Sequence, residues 1–225
     1  MRVIKYKENV IAATLLAMLL GGYLYSGNVE AAEPRDITRI NGGIRVDAET
    51  QVGDVSTING GVGIGSGASA SAIKTVNGGI DLSDHAIIAS AKTVNGGIRT
   101  REDVTVNGSL RTVNGLIRLE SGSVVREEVS TVNGKIQLSN TLVGEDVLSS
   151  NGDISIRDSS VVEGDIVVRK DRGSWFSRFF NSNKKSMEIT IDASSTVRGD
   201  IHLYREVDLD IDGNAEVGEI IKHYQ

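Results

Sequence analysis

Thr75-Val76-Asn77-Gly78-Gly79-Ile80-Asp81-Leu82 is the stretch whose reading decides the fold. Its (Ile/Val)-Asn-Gly word recurs at Ile40-Asn41-Gly42, Ile58-Asn59-Gly60, Val94-Asn95-Gly96, Val113-Asn114-Gly115 and Val132-Asn133-Gly134, with Ser150-Asn151-Gly152 as a degenerate seventh copy. From Asn41 the steps to the next Asn are 18, 18, 18, 19, 19 and 18 residues. A half-copy, Val106-Asn107-Gly108, interrupts the fourth repeat and is expected to account for part of the first longer step. Such a fixed period marks a stacked repeat. Within the unit Val76, Ile80 and Leu82 are apolar and Asp81 alternates outward, while Asn-Gly-Gly supplies residues that tolerate positive φ.

Read locally, each Asn-Gly is a hairpin turn in an antiparallel meander. A meander needs turns at both ends of its strands, however, and the same words return only once per 18 residues. That length divides into three strands of about four residues plus corners, one coil of a parallel β-helix. The expected fold is therefore an all-β, single-domain β-solenoid of about ten coils with an 18–19-residue repeat. Two apolar ladders follow from the stacking. Ile44, Val62, Ile80, Ile98, Ile117, Ile136 and Ile154 form one; Val46, Ile64, Leu82, Leu119, Leu138 and Ile156 form the other. Asn41, Asn59, Asn77, Asn95, Asn114, Asn133 and Asn151 stack as well, and an amide can satisfy both neighbouring carbonyls and the next Asn, so the column reads as structural. After Asn151 the words change to Val162-Glu163-Gly164-Asp165-Ile166, answered by Val197-Arg198-Gly199-Asp200-Ile201. Val207 to Asp212 alternates strictly, and Ala215 to Ile220 reads as a last coil.

Composition narrows the function. In 225 residues there are 26 Gly, one Pro and no Cys, with 24 Lys+Arg against 30 Asp+Glu. Without Cys there is no disulfide, Cys-ligated metal site or thiol nucleophile. The acidic balance offers no electrostatic footprint for nucleic acid.

Residues 1–31 read as a signal peptide: Arg2, Lys5 and Lys7 precede an apolar run from Val10 to Tyr25, and Val29-Glu30-Ala31 fits cleavage before Ala32. The run is 16 residues long, short of the ~20 a membrane span needs, although an uncleaved inner-membrane anchor is the competing reading. Either way residues 32–225 are expected to be exported, to the periplasm or the cell surface. Interrupting that body is an aromatic and basic insertion at 169–186, which carries the single Trp and all three Phe. Its residues Trp175, Phe176, Arg178, Phe179 and Phe180 either cap the stack or dock on a partner protein or an anionic membrane.

Catalytic signatures are missing. His85, His202 and His223 show no metal-ligand spacing and no fixed relation to the repeat, and no nucleophile elbow, Walker loop or HExxH occurs. The outward position after the ladder Ile reads Arg45, Gly63, Asp81, Arg99, Arg118, Gln137 and Ser155. Arg99 and Arg118 are the candidate anion patch, with solvated charge the plainer reading.

Together, the Val/Ile-Asn-Gly-Ile coils and Val-x-Gly-Asp-Ile words resemble the exported adhesin-like β-solenoid domains of bacteria, a family of largely unknown function. They are also similar to the polymer-forming bactofilins, cytosolic scaffolds built on a right-handed β-helix. The resemblance covers residues 37 to 221, and Arg205-Glu206-Val207 before the closing coil fits a C-terminal pattern of exported Gram-negative proteins. It implies a non-enzymatic scaffold, binding or adhesin-like protein without cofactor, partnered by an envelope component or by itself end to end. An export signal favours the adhesin-like group. The alternative is a carbohydrate-active β-helix enzyme acting on an envelope polysaccharide.

Overall fold

The computed structural model describes residues 34–170 and 186–224, which belong to one compact unit, Glu33–Gln225. The expected signal segment 1–31 and the aromatic residues Trp175 to Phe180 lie outside the described residues. Among the described residues there is no helix. Every strand pairing is parallel, which excludes the hairpin meander. The chain winds as a β-solenoid with three walls.

The first wall runs through Ile37–Asn41, Val55–Asn59, the end of Ser69–Asn77 and on to Ile166–Val168, Ile201–Leu203 and Ile220–Lys222. Nine strands from Ile44–Val46 to Asp208–Ile211 make the second wall, one per turn, as a separate sheet. The third wall holds short pairs such as Ile87-Ile88, Thr105–Val106, Val124–Val125 and Thr196–Val197. Walls one and three join into a sixteen-stranded sheet through the long strands Ser69–Asn77 and Ile87–Lys92. Among the described residues the stack thus has nine turns and one further strand, where the sequence spacing suggests about ten. Thr196 pairs with Val161 across 35 residues of sequence, so the segment containing the insertion adds no rung among the described residues.

Both apolar ladders are present in register. Ile44 to Ile154 stack as expected and continue into Ile189 and Leu209. The second ladder contains Thr100, between Leu82 and Leu119, where the sequence pattern left a gap. Its side chain is 3 % exposed, and its hydroxyl bonds Ser123 Oγ at 3.0 Å and accepts the Glu120 N–H. Ile98, Ile117, Ile136 and Ile154 are fully buried. Burying each such side chain contributes about 1.5–3 kcal/mol, and with no Cys in the chain the stack rests on these contacts and its ladder hydrogen bonds.

The corners explain the words. At the first corner, Thr57, Thr75, Thr93 and Thr112 point inward, and each hydroxyl donates to the carbonyl of the glycine in the preceding Asn-Gly at 2.8–3.1 Å. The glycines are required by closeness rather than by turn conformation. A Cβ on Gly96 would lie 1.9 Å from the Gly78 carbonyl oxygen, and one on Gly115 would lie 2.0 Å from that of Gly96. Of the described Asn-Gly glycines only Gly42 takes positive φ, at 99°. At the second corner the left-handed position is filled in turn by Glu49, Gly67, His85, Asp103, Gly122 and Asn140. His85 therefore does keep a relation to the repeat, as a corner residue with φ 59°.

Gly-Asp-Ile belongs to the third corner. Asp146 Oδ1 accepts the Asp165 N–H, Asp165 Oδ1 the Asp200 N–H and Asp200 Oδ1 the Glu219 N–H, at 2.8–2.9 Å. Val106-Asn107-Gly108 sits at this corner too, and is not a copy of the Asn-Gly word. It widens the step from wall three to wall one: Ile88 to Ala91 becomes Val106 to Leu110. One added residue there turns an 18-residue coil into a 19-residue one.

Candidate functional site

The first corner carries the most regular surface of the molecule. Asn59 Nδ2 donates to Asn41 Oδ1, Asn77 to Asn59, Asn95 to Asn77, Asn114 to Asn95, Asn133 to Asn114 and Asn151 to Asn133, all at 2.9–3.0 Å. Every amide points the same way, so their dipoles add, with the oxygen end at Asn151. There the guanidinium of Arg205 takes the place of an eighth Asn, donating to Asn151 Oδ1 at 2.7 Å and to the Ser150 carbonyl at 3.1 Å. A cation at the negative end of aligned dipoles is the favourable sign. Arg205 was legible in the sequence only as part of a closing pattern, because its partner lies 54 residues away.

Beside the amides runs an aliphatic stripe. Val76 and its equivalents face outward: Ile40 is 67 % exposed, Ile58 46 %, Val76 39 % and Val132 41 %, with Val94 and Val113 half-buried between them. From Ile58 on, the Thr before each takes the inward place because a wall strand alternates its side chains. Periodicity alone had grouped Val76 with the ladder residues Ile80 and Leu82.

Arg99 and Arg118 are neighbours across one rung, as expected, and each is engaged by an acid or amide. Arg99 Nη1 lies 3.7 Å from Asp81 Oδ1; Arg118 Nε lies 3.9 Å from Glu120 and donates to Gln137 Oε1 at 3.0 Å. They line an open groove of about 1410 Å³ on the second wall with Arg45, Gly63, Asp81 and Glu120. Arg99 and Arg118 thus each lie within 4 Å of a carboxylate, and Arg45 and Arg101 line the same groove.

On the last two rungs His202 and His223, which show no ligand spacing in the sequence, meet: His202 Nδ1 and His223 Nε2 are 3.1 Å apart. Tyr204 stacks on His223 with ring centroids 4.2 Å apart. Their 21-residue separation is a coil plus two residues, which no repeat word announces. Asp208 and Asp210 face outward on the terminal strand of the second wall, and among the described residues no group of three His, Asp or Glu is placed to hold a metal ion.

Asp192 is a carboxylate with a clear shift. Burial pushes its pKa up, and hydrogen bonds from Ser195, the Asp158 N–H and Ser194 outweigh that and hold it below the ordinary value. It serves the second corner, not a pocket.

Comparison with protein-family models, curated proteins and solved structures finds no match.

Proposed function

We propose that the chain is a non-enzymatic scaffold or binding module of the cell envelope, adhesin-like, working through the walls of a finite stack. The observation that carries this is the charge at its two ends. In the first wall, the column that is buried from Thr57 and Thr75 to Val168 and Leu203 opens with Arg39 at one end and closes with Lys222 at the other. Arg39 swings across the end to donate to the Gly43 carbonyl at 2.7 Å. Charges at inward-register positions on edge strands are a device against strand addition. Head-to-tail stacking in continuous register would also set Arg39 against Lys222, like charges at rung distance.

Partner binding then falls to the sides, where the amide and aliphatic columns repeat at the strand spacing of about 4.8 Å. Such a surface fits an extended partner that repeats at the same interval. Export rests on the basic and apolar start of the chain, Arg2 to Tyr25. Light scattering on residues 32–225 tests the reading: a single monomeric mass supports it, and concentration-dependent growth into filaments removes it in favour of assembly as the function.

A second reading has the groove on its side. Arg45, Arg99 and Arg118 beside Asp81 and Glu120 are groups that a polysaccharide-cleaving β-helix would use. Release of reducing ends from envelope polysaccharides, lost on Arg99→Ala, would establish that enzyme instead.

A further inference from the structure

We propose that His202 and His223 form a two-imidazole site for a nitrogen-preferring divalent d-block cation, of the copper, nickel or zinc kind. His202 lies at the centre of wall-one strand Ile201–Leu203, and His223 follows the last strand, Ile220–Lys222. The two side chains project outward from adjacent rungs, with ring centroids 5.4 Å apart and planes inclined by 24°, so the rings meet nitrogen edge to nitrogen edge. Two nitrogens that bind one cation at about 2.0–2.1 Å each in cis positions stand about 3 Å apart, and His202 Nδ1 and His223 Nε2 are separated by 3.1 Å.

Three further features fit a ligand pair. His202 Nε2 faces Asp165 Oδ2 at 3.5 Å. A carboxylate on the far nitrogen holds the proton there, leaves Nδ1 with its lone pair, and is the usual outer partner of a metal-bound imidazole. Asp165 is itself fixed, since its Oδ1 accepts the Asp200 N–H at 2.8 Å. Tyr204 stacks on the His223 ring at an interplanar angle of 8° and limits its rotation.

Without a cation, the two facing nitrogens stand at hydrogen-bond distance, 3.1 Å, and the tautomers decide which one donates. Loading needs tautomers that leave both facing nitrogens unprotonated and a turn of the two rings, because lone pairs that face each other across 3.1 Å must swing to converge on one cation. No third protein ligand stands in place among the described residues, so solvent completes the coordination. Copper(II) is expected to bind most tightly of the three by the general order of affinities. By bridging the last two rungs the cation would pin the terminal turn, whose inward residues Leu209, Ile211 and Val217 are only half-buried.

The chain has three His and no Cys, so competing sites are few. Untagged protein is titrated with copper(II), nickel(II) or zinc(II) chloride in a non-chelating buffer. One equivalent should bind, and His202→Gln or His223→Gln should each lower the affinity at least tenfold. His85→Gln should leave it unchanged. Asp165→Asn should weaken binding by about 10–100-fold, as loss of an outer carboxylate does. On the unaltered protein, substoichiometric copper(II) should broaden the imidazole proton resonances of His202 and His223 together while those of His85 stay sharp. Binding of one equivalent that survives both His substitutions, equal broadening of all three His, or no binding at millimolar metal overturns the proposal.

Discussion

Replacing Gly96 by Ala tests why the Asn-Gly words exist. If these glycines served an unusual turn conformation, an added methyl would cost what positive φ costs. Only Gly42 is in that region, and a Cβ there meets nothing within 4 Å. At Gly96 the backbone is ordinary, and the new Cβ would lie 1.9 Å from the Gly78 oxygen, 2.4 Å from its carbon and 2.9 Å from Gly79 N. All three are backbone atoms, so no side chain can swing aside. Relief requires opening the corner by more than an ångström. That stretches the Thr93–Gly78 hydroxyl bond, the Gly78–Asn95 backbone bond and the Asn95–Asn77 amide bond, now 2.9, 3.1 and 3.0 Å. Two or three hydrogen bonds at about 1 kcal/mol each plus overpacking of about 1–3 kcal/mol give a loss of roughly 3–6 kcal/mol. Gly42→Ala should lose about 1–2 kcal/mol, from φ alone. Gly63→Ala, with open space and ordinary φ, should gain about 0.4–1 kcal/mol. Urea unfolding of the three variants and the parent gives the order directly. A Gly96→Ala protein within about 0.5 kcal/mol of the parent, an uncertainty typical of unrelated surface changes, or one no worse than Gly42→Ala, refutes the steric account.

Arg205→Gln should cost about 1.5–3 kcal/mol, the value of hydrogen bonds to a charged group, because Asn151 Oδ1 and the Ser150 carbonyl lose their donor; an unchanged melting curve would deny it the capping role. Thr93→Val keeps the shape but strips the Gly78 carbonyl of its buried donor, so a loss of about 1–3 kcal/mol is expected in chemical unfolding, with Thr93→Ser in between. The double variant Arg39→Thr, Lys222→Leu removes both end charges and should convert a monomer into chains visible by light scattering and negative-stain microscopy. Unaltered mass would mean that something other than these cations ends the stack. Asp192 has its pKa held below the ordinary 3.8, so its contribution is fully present above that value and is lost as pH falls through the lower folded value. Stability measured between pH 2 and 6 should therefore show an acid-side decline that is shallower in Asp192→Asn.

Much of this architecture is written in the period. An Asn-Gly word every 18 or 19 residues fixes a parallel stack, its ladder from Ile44 to Ile154 and the column of amides, because parallel rungs in register put each residue on its own copy. What lies on each side of a wall is less legible. Thr75 and Val76 are adjacent and both tolerated in strands, and the simple expectation buries the Val. Burial goes to Thr because its hydroxyl reaches the carbonyl of the glycine one turn back, a partner 15 residues away that exists only once the corner has closed. The meaning of the glycines is likewise tertiary, since the atoms that exclude a methyl belong to another turn. Where the repeat decays the sequence says least. The Arg205 cap, the opposed end charges Arg39 and Lys222 and the His202–His223 pair each depend on how many residues the last coils absorb. Composition and period determine that this chain stacks. Register across distant turns alone decides which side chains meet at its corners and ends, since those meetings join residues with no common word in the sequence.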